Sequence, residues 1–160
     1  MTTIEIIVLG TPAPQGSKHG FAIKAKGAYT GKVAQVESSS KVKPWRMAVK
    51  YAAMDAMRVG DTPMTGAIIL EVIFRLARPK GHYGTGRNAG QVKRGQPFRP
   101  NGRPDIDKLL RSTFDALGEA GVWGDDAQVV SARASKVYAD AGRPGAMIKV
   151  TSLGNTIGAL

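Results

Sequence analysis

The chain has 160 residues, a length that suits one domain able to bury a core without disulfides or structural metals. It has no apolar run near the roughly 20 residues a bilayer requires, which excludes a spanning helix, and no cysteine and only His19 and His82 as imidazoles, which excludes a zinc finger or a Cys-His nucleophile pair, so any metal must be held by oxygen. Lys and Arg number 23 against 12 Asp and Glu, and the formal charge of +11 points to a polyanionic partner, nucleic acid first.

In chain order, residues 4–9 read as a buried strand closed by Gly10-Thr11-Pro12. Short strands are expected around 21–26 and 29–36, divided by Gly27. Residues 43–58 form a helix with Trp45, Val49, Ala52, Ala53 and Ala56 on one apolar face, Pro44 acceptable in its first turn and Gly60 ending it. Residues 67–76 are β-branched and apolar enough for a central strand.

The segment from Arg75 to Arg103 holds eight basic residues and no acid, and its glycines and prolines break regular structure. It reads as a long, mobile, cationic loop over about 78–103. A second helix follows over 107–117, with Ile106, Leu109, Leu110, Thr113, Phe114 and Leu117 at helical spacing and Gly118 and Gly121 stopping it. Strands over 128–138 and 146–151, joined by a turn at Gly142-Arg143-Pro144-Gly145, complete an α+β order: β-α-β-loop-α-β-β, a small mixed sheet packed against two helices in a single domain spanning 1–160. Trp45 and Trp123 are expected in the core.

Seven of the 12 acids lie beyond Arg103. Hydrolysis of a phosphodiester needs an activated water and a stabilised leaving oxygen, and a hard divalent cation on carboxylates supplies both. Asp105, Asp107 and Asp126 have that chemistry. Two residues apart within a helix, Asp105 and Asp107 would point away from each other, so Asp105 must stand extended ahead of the first turn. Asp126, in the turn before the strand at Gln128, is expected to reach the same point. Arg111, one helical turn past Asp107, could grip a phosphate.

Each feature has a plainer alternative. Asp-x-Asp before a helix is often an N-cap with a neighbour favoured by the helix dipole. Asp125-Asp126 in a turn is ordinary turn chemistry, and Arg111 with Asp107 or Asp115 is an ordinary exposed ion pair. His82 and Tyr83 are either solvated loop residues or stacking groups for an unpaired base.

The stretch Arg103-Pro104-Asp105-Ile106-Asp107-Lys108-Leu109-Leu110-Arg111-Ser112-Thr113-Phe114-Asp115-Ala116-Leu117, with Ala120-Gly121-Val122-Trp123-Gly124-Asp125-Asp126-Ala127-Gln128-Val129-Val130 after it, resembles the central signature of the RusA family of Holliday junction resolvases. The resemblance covers about 28 contiguous residues and is looser elsewhere. It implies a homodimeric, magnesium-dependent endonuclease, with manganese able to substitute, that makes paired cuts in four-way DNA junctions during recombination and repair. Asp105, Asp107 and Asp126 would correspond to the family's metal-binding aspartates. The family's Asp-x-Asp-Asn-Leu-x-Lys pattern is departed from at Lys108 and Arg111, so a catalytic part for Arg111 carries over less directly than the metal ligands, and the part of Lys108 stays open. DNA contacts are expected from Lys18, Arg78, Lys80, Arg87, Lys93, Arg94, Arg99, Arg103 and Lys108, with Lys24 and Lys26 beside them. The cysteine-free composition and an N-terminus without signal-peptide features predict a cytoplasmic location and no membrane partner, and the resemblance implies a bacterial or phage-infected bacterial cell. The rivals are a non-catalytic nucleic-acid-binding protein and a magnesium nuclease for flaps or forks.

Overall fold

The computed structural model describes residues 1–16, 18–37, 40–58, 61–140 and 142–154, and of 18, 19 and 35–37 the backbone alone. The fold is α+β, with six strands and two helices in the described residues: β1 (Thr2–Leu9), β2 (Lys18–Ala25), β3 (Ala28–Glu37), α1 (Val42–Ala56), β4 (Ile68–Leu76), α2 (Ile106–Glu119), β5 (Val129–Tyr138) and β6 (Gly145–Ser152). β1, β6, β4 and β5 form one mixed sheet in that order, and β2 and β3 pair apart from it as a hairpin. The expected mixed sheet against two helices is present, and no described helix is long and apolar enough to cross a membrane.

Alternation of side chains builds the core. Ile6 and Val8 of β1, Ile68, Leu70, Val72 and Phe74 of β4, and Ala146, Ile148 and Val150 of β6 point to one face. On that face lie Val42, Trp45, Val49 and Ala53 of α1, together with Leu109, Thr113, Ala116 and Leu117 of α2. Trp45 and Trp123 are both core residues, as expected. Gly145 is required where β6 meets β1, because a Cβ there would lie 1.9 Å from the Val8 carbonyl oxygen.

Two helix ends differ from expectation. α1 stops at Ala56, where Met57 turns extended, and Gly60 lies outside the described residues. α2 runs through Gly118 to Glu119; Gly121 ends it with φ +77 while the Val122 N–H reaches back to the Leu117 carbonyl at 3.1 Å. This is the usual glycine-terminated helix end, and one glycine suffices for it.

β5 runs parallel to β4. A parallel neighbour needs a crossover, here the basic loop and α2, so α2 runs back along the sheet against the strand direction. Its N-terminus therefore stands at the carboxyl ends of β4 and β5, the end where open α/β sheets bind ligands.

Candidate active site

At that end a groove of about 730 Å³ opens, walled by Pro12, Ala13 and Pro14, by Pro79 and His82 of the basic loop, and by Arg103, Asp105 and Lys108. The wall is tied to α2: the Ser112 hydroxyl donates to the Ala13 carbonyl at 2.8 Å, and the Gln15 N–H to the Lys108 carbonyl at 3.1 Å.

Asp105 occupies the N-cap position of α2 with φ −69 and ψ 135, extended as convergence with Asp107 requires, and its side chain makes no capping hydrogen bond. The plain N-cap reading therefore fails, and the carboxylate is free of the backbone. Lys108 sits on it instead, Nζ to Oδ2 at 3.1 Å. Asp107 is exposed in the first turn, and Arg111 is exposed one turn on. Asp105 thus lines the groove and Asp107 stands exposed in the first helical turn beside it, where the partial positive charge of the helix favours anions.

Asp126 is elsewhere, which corrects the expectation of three aspartates meeting in one chain. Trp123 Nε1 donates to its Oδ1 at 2.8 Å, and a Cβ on Gly118 would lie 3.6 Å from that oxygen. Gly118 is eleven residues past Asp107, about 16 Å along a helix. The cause is the parallel pairing: a residue just before β5 must lie at the amino end of the strand, opposite the groove. Among the described residues no three acid or imidazole groups form a metal cluster. Asp125 is structural, accepting from the Ala127 N–H at 2.7 Å in a capping box with Gln128.

The stretch over 78–103, expected as a long cationic loop, has local order. Short 3-10 turns at Lys80–His82 and Gly86–Asn88 and a bridge of Tyr83 with Val92 organise it. Arg78 fastens it to the end of β5: Nε and Nη2 donate to the two Asp140 oxygens at 2.7 and 2.9 Å, Nη1 donates to the Pro97 carbonyl, and the guanidinium lies 3.9 Å over the Tyr138 ring. Its side chain is only 5% exposed, so Arg78 is a clasp and not a DNA contact. His82 and Tyr83 belong to the same knot rather than to solvent: the His82 ring packs edge-on to Tyr138, and the Tyr83 hydroxyl donates to Asp140 at 3.2 Å.

Hydrogen bonds from Arg78 are the main reason the Asp140 carboxyl is held below its ordinary value of 3.8; they outweigh the burial that would raise it. A depressed carboxyl stabilises the folded form above its ordinary value and loses that contribution as pH falls through the lowered one. Amide exchange over 79–103, taken relative to the intrinsic rate at each pH, is therefore expected to stay slow from neutral pH to about pH 4 and to quicken below it. Asp140→Asn should quicken it severalfold at pH 7, and equal exchange in both proteins would remove the clasp.

Lys80, Arg87, Arg94 and Arg103 remain exposed on the loop and at the groove. Lys93 is exposed but its ammonium donates to the Gly81 carbonyl at 3.0 Å, and Arg99 reaches the Lys136 carbonyl at 3.4 Å. The side chain of Lys18 lies outside the described residues. Lys136 escaped sequence reading: its Nζ donates to the carbonyls of Gly102 and Pro104 at 2.7 and 2.9 Å, fixing the approach to Asp105. The available signal was a lysine sharing a strand face with Ala132 and Ala134.

The profile of the family described as Endodeoxyribonuclease RusA matches residues 14–151. The Bacillus subtilis (strain 168) protein called Uncharacterized protein YqaN is 28% identical over 152 residues, covering 95% of this chain and 99% of its own. The crossover junction endodeoxyribonucleases of Enterobacteria phage 82 and Escherichia coli (strain K12) are each 44% identical over 54 residues. Those matches span 33% of this chain and 43% of theirs, so the chain matches under half the length of these relatives.

Proposed function

Because the chain belongs to the RusA family of endodeoxyribonucleases, we propose that it is a magnesium-dependent, homodimeric nuclease that resolves four-way DNA junctions in recombination and repair. The observation that carries this reading is the uncapped carboxylate of Asp105 at a groove whose rim is cationic, with Asp107 exposed in the first turn of the same helix. Carboxylate oxygens are the donors magnesium prefers, and it keeps several waters, so few protein ligands suffice. When bound, the ion supplies an activated water and charge for the leaving oxygen. Manganese takes the same donors. Lys108 already stations a cation on Asp105. Arg111 is free to hold a phosphate oxygen of the strand to be cut.

Asp126 enters this scheme through a second copy. β5 is an edge strand of ten residues without proline, an open template for pairing. A two-fold partner pairing antiparallel along it would set the two α2 helices antiparallel and bring Asp126 of the partner subunit to the end that carries Asp105 and Asp107. One symmetry operator then makes two equal centres, as paired incision requires.

The test is a synthetic four-way junction labelled on each of its four strands and incubated with magnesium, and in parallel with manganese, beside flap and linear duplex substrates. Symmetric cuts in two strands, with flap and duplex cut more slowly, are expected. Binding without cutting would favour a non-catalytic DNA-binding protein, and fastest cutting of flaps a fork or flap nuclease.

A further inference from the structure

The β2–β3 hairpin stands outside the main sheet, and two strands alone are marginal in water. It turns tightly at Lys26 and Gly27, whose φ values of 49 and 83 suit a two-residue hairpin loop. It covers no core. Phe21, Ile23, Tyr29 and Val33 are 59%, 40%, 70% and 64% exposed. Register pairs Phe21 with Ala34 and Lys24 with Tyr29, and the Lys24 ammonium lies 4.6 Å from the Tyr29 ring centroid. Residues 6–36 contain four lysines and no acid. The ribbon therefore offers apolar rings and positive charge together.

The chain that leads into it passes along the candidate site. Gly16 borders the groove, and the Gln15 N–H is bonded to the carbonyl of Lys108 in the first turn of α2. The ribbon follows in sequence within two residues of the wall of the groove that Asp105 lines.

We infer that this ribbon is a DNA-gripping arm, whose Lys24, Lys26 and Lys32 neutralise phosphates while Phe21 and Tyr29 stack on bases unpaired at the branch point. The inference rests on the DNA-cleaving reading above. A two-stranded ribbon fits the major groove, and aromatic rings accept any base face. A second copy meeting it ribbon to ribbon is a poorer occupant, because the same acid-free lysines would face each other.

Binding of the full-length protein to a four-way junction and to linear duplex, without divalent metal, tests it, with 2-aminopurine at the branch point as a probe of stacking. Phe21→Ser with Tyr29→Ser is expected to weaken junction binding about tenfold, spare duplex binding and abolish the 2-aminopurine response. Lys24→Gln, Lys26→Gln and Lys32→Gln together should weaken both complexes and flatten the salt dependence by about 0.9 for each phosphate no longer neutralised. All these side chains are exposed, so folding is preserved and checked by thermal melting. Parental binding by both variants overturns the arm while the nuclease reading stands. A shift from dimer to monomer in sedimentation makes the ribbon an inter-subunit device and likewise overturns it. A parent protein that binds neither DNA overturns both.

Discussion

Asp107→Asn is expected to lower magnesium-dependent cleavage of a four-way junction by about three orders of magnitude, equivalent to about 4 kcal/mol of transition-state stabilisation. The change is isosteric and falls on an exposed side chain in the first turn of α2. Its cost to the fold is confined to a weaker interaction with the helix N-terminus, about 0.3–1 kcal/mol. Junction binding in the absence of metal should be kept or strengthened, since an anion beside the phosphate path is removed. That combination separates a metal-binding role from a structural one. Cleavage within a few-fold of the parent would take Asp107 out of the chemistry; failure to bind together with a lowered melting temperature would make it structural.

The fold was readable where side-chain period and breakers agree. The apolar run over 4–9 and the β-branched, apolar composition of 67–76 marked two strands of the sheet, and the helical spacing of Leu109, Thr113 and Leu117 marked α2. Asp105 was legible as well, because Pro104 and the preceding breakers leave it extended ahead of the helix. Partners that form only through long-range closure were not legible. A basic run such as 78–103 carries no mark that one of its arginines turns inward; Asp140, 62 residues on, decides that. Nor does closeness in sequence fix closeness in space. Asp126 lies 21 residues from Asp105, yet strand direction separates them, because a parallel β5 must begin at the far end of the sheet. An antiparallel β5 would have brought them together, and the turn at Gly124-Asp125-Asp126 looks the same in either case.

That separation leads to the second large effect. Asp126→Asn keeps the oxygen that accepts from Trp123 Nε1, so the local fold survives, and loss of cutting comparable to that of Asp107→Asn is expected if Asp126 completes a centre. Each variant alone is then inactive, but mixing them distinguishes where the centre lies. If each chain held its own three aspartates, both halves of a mixed dimer would be defective and nothing would be cut. If the centre joins Asp105 and Asp107 of one subunit to Asp126 of the partner subunit, a mixed dimer concentrates both lesions in one centre. The other centre is then intact. Random pairing of equal amounts makes half the dimers mixed, each with one of two centres working, so about a quarter of the parental centres return. Because one centre cuts one strand, the product is a nicked junction rather than a resolved one. Co-expression with two different tags isolates the mixed dimer and raises the recovery to about half. A purified mixed dimer as inactive as its parents would show that Asp126 does not act across the two-fold axis. Full activity of Asp126→Asn by itself would leave the centre to Asp105 and Asp107 alone.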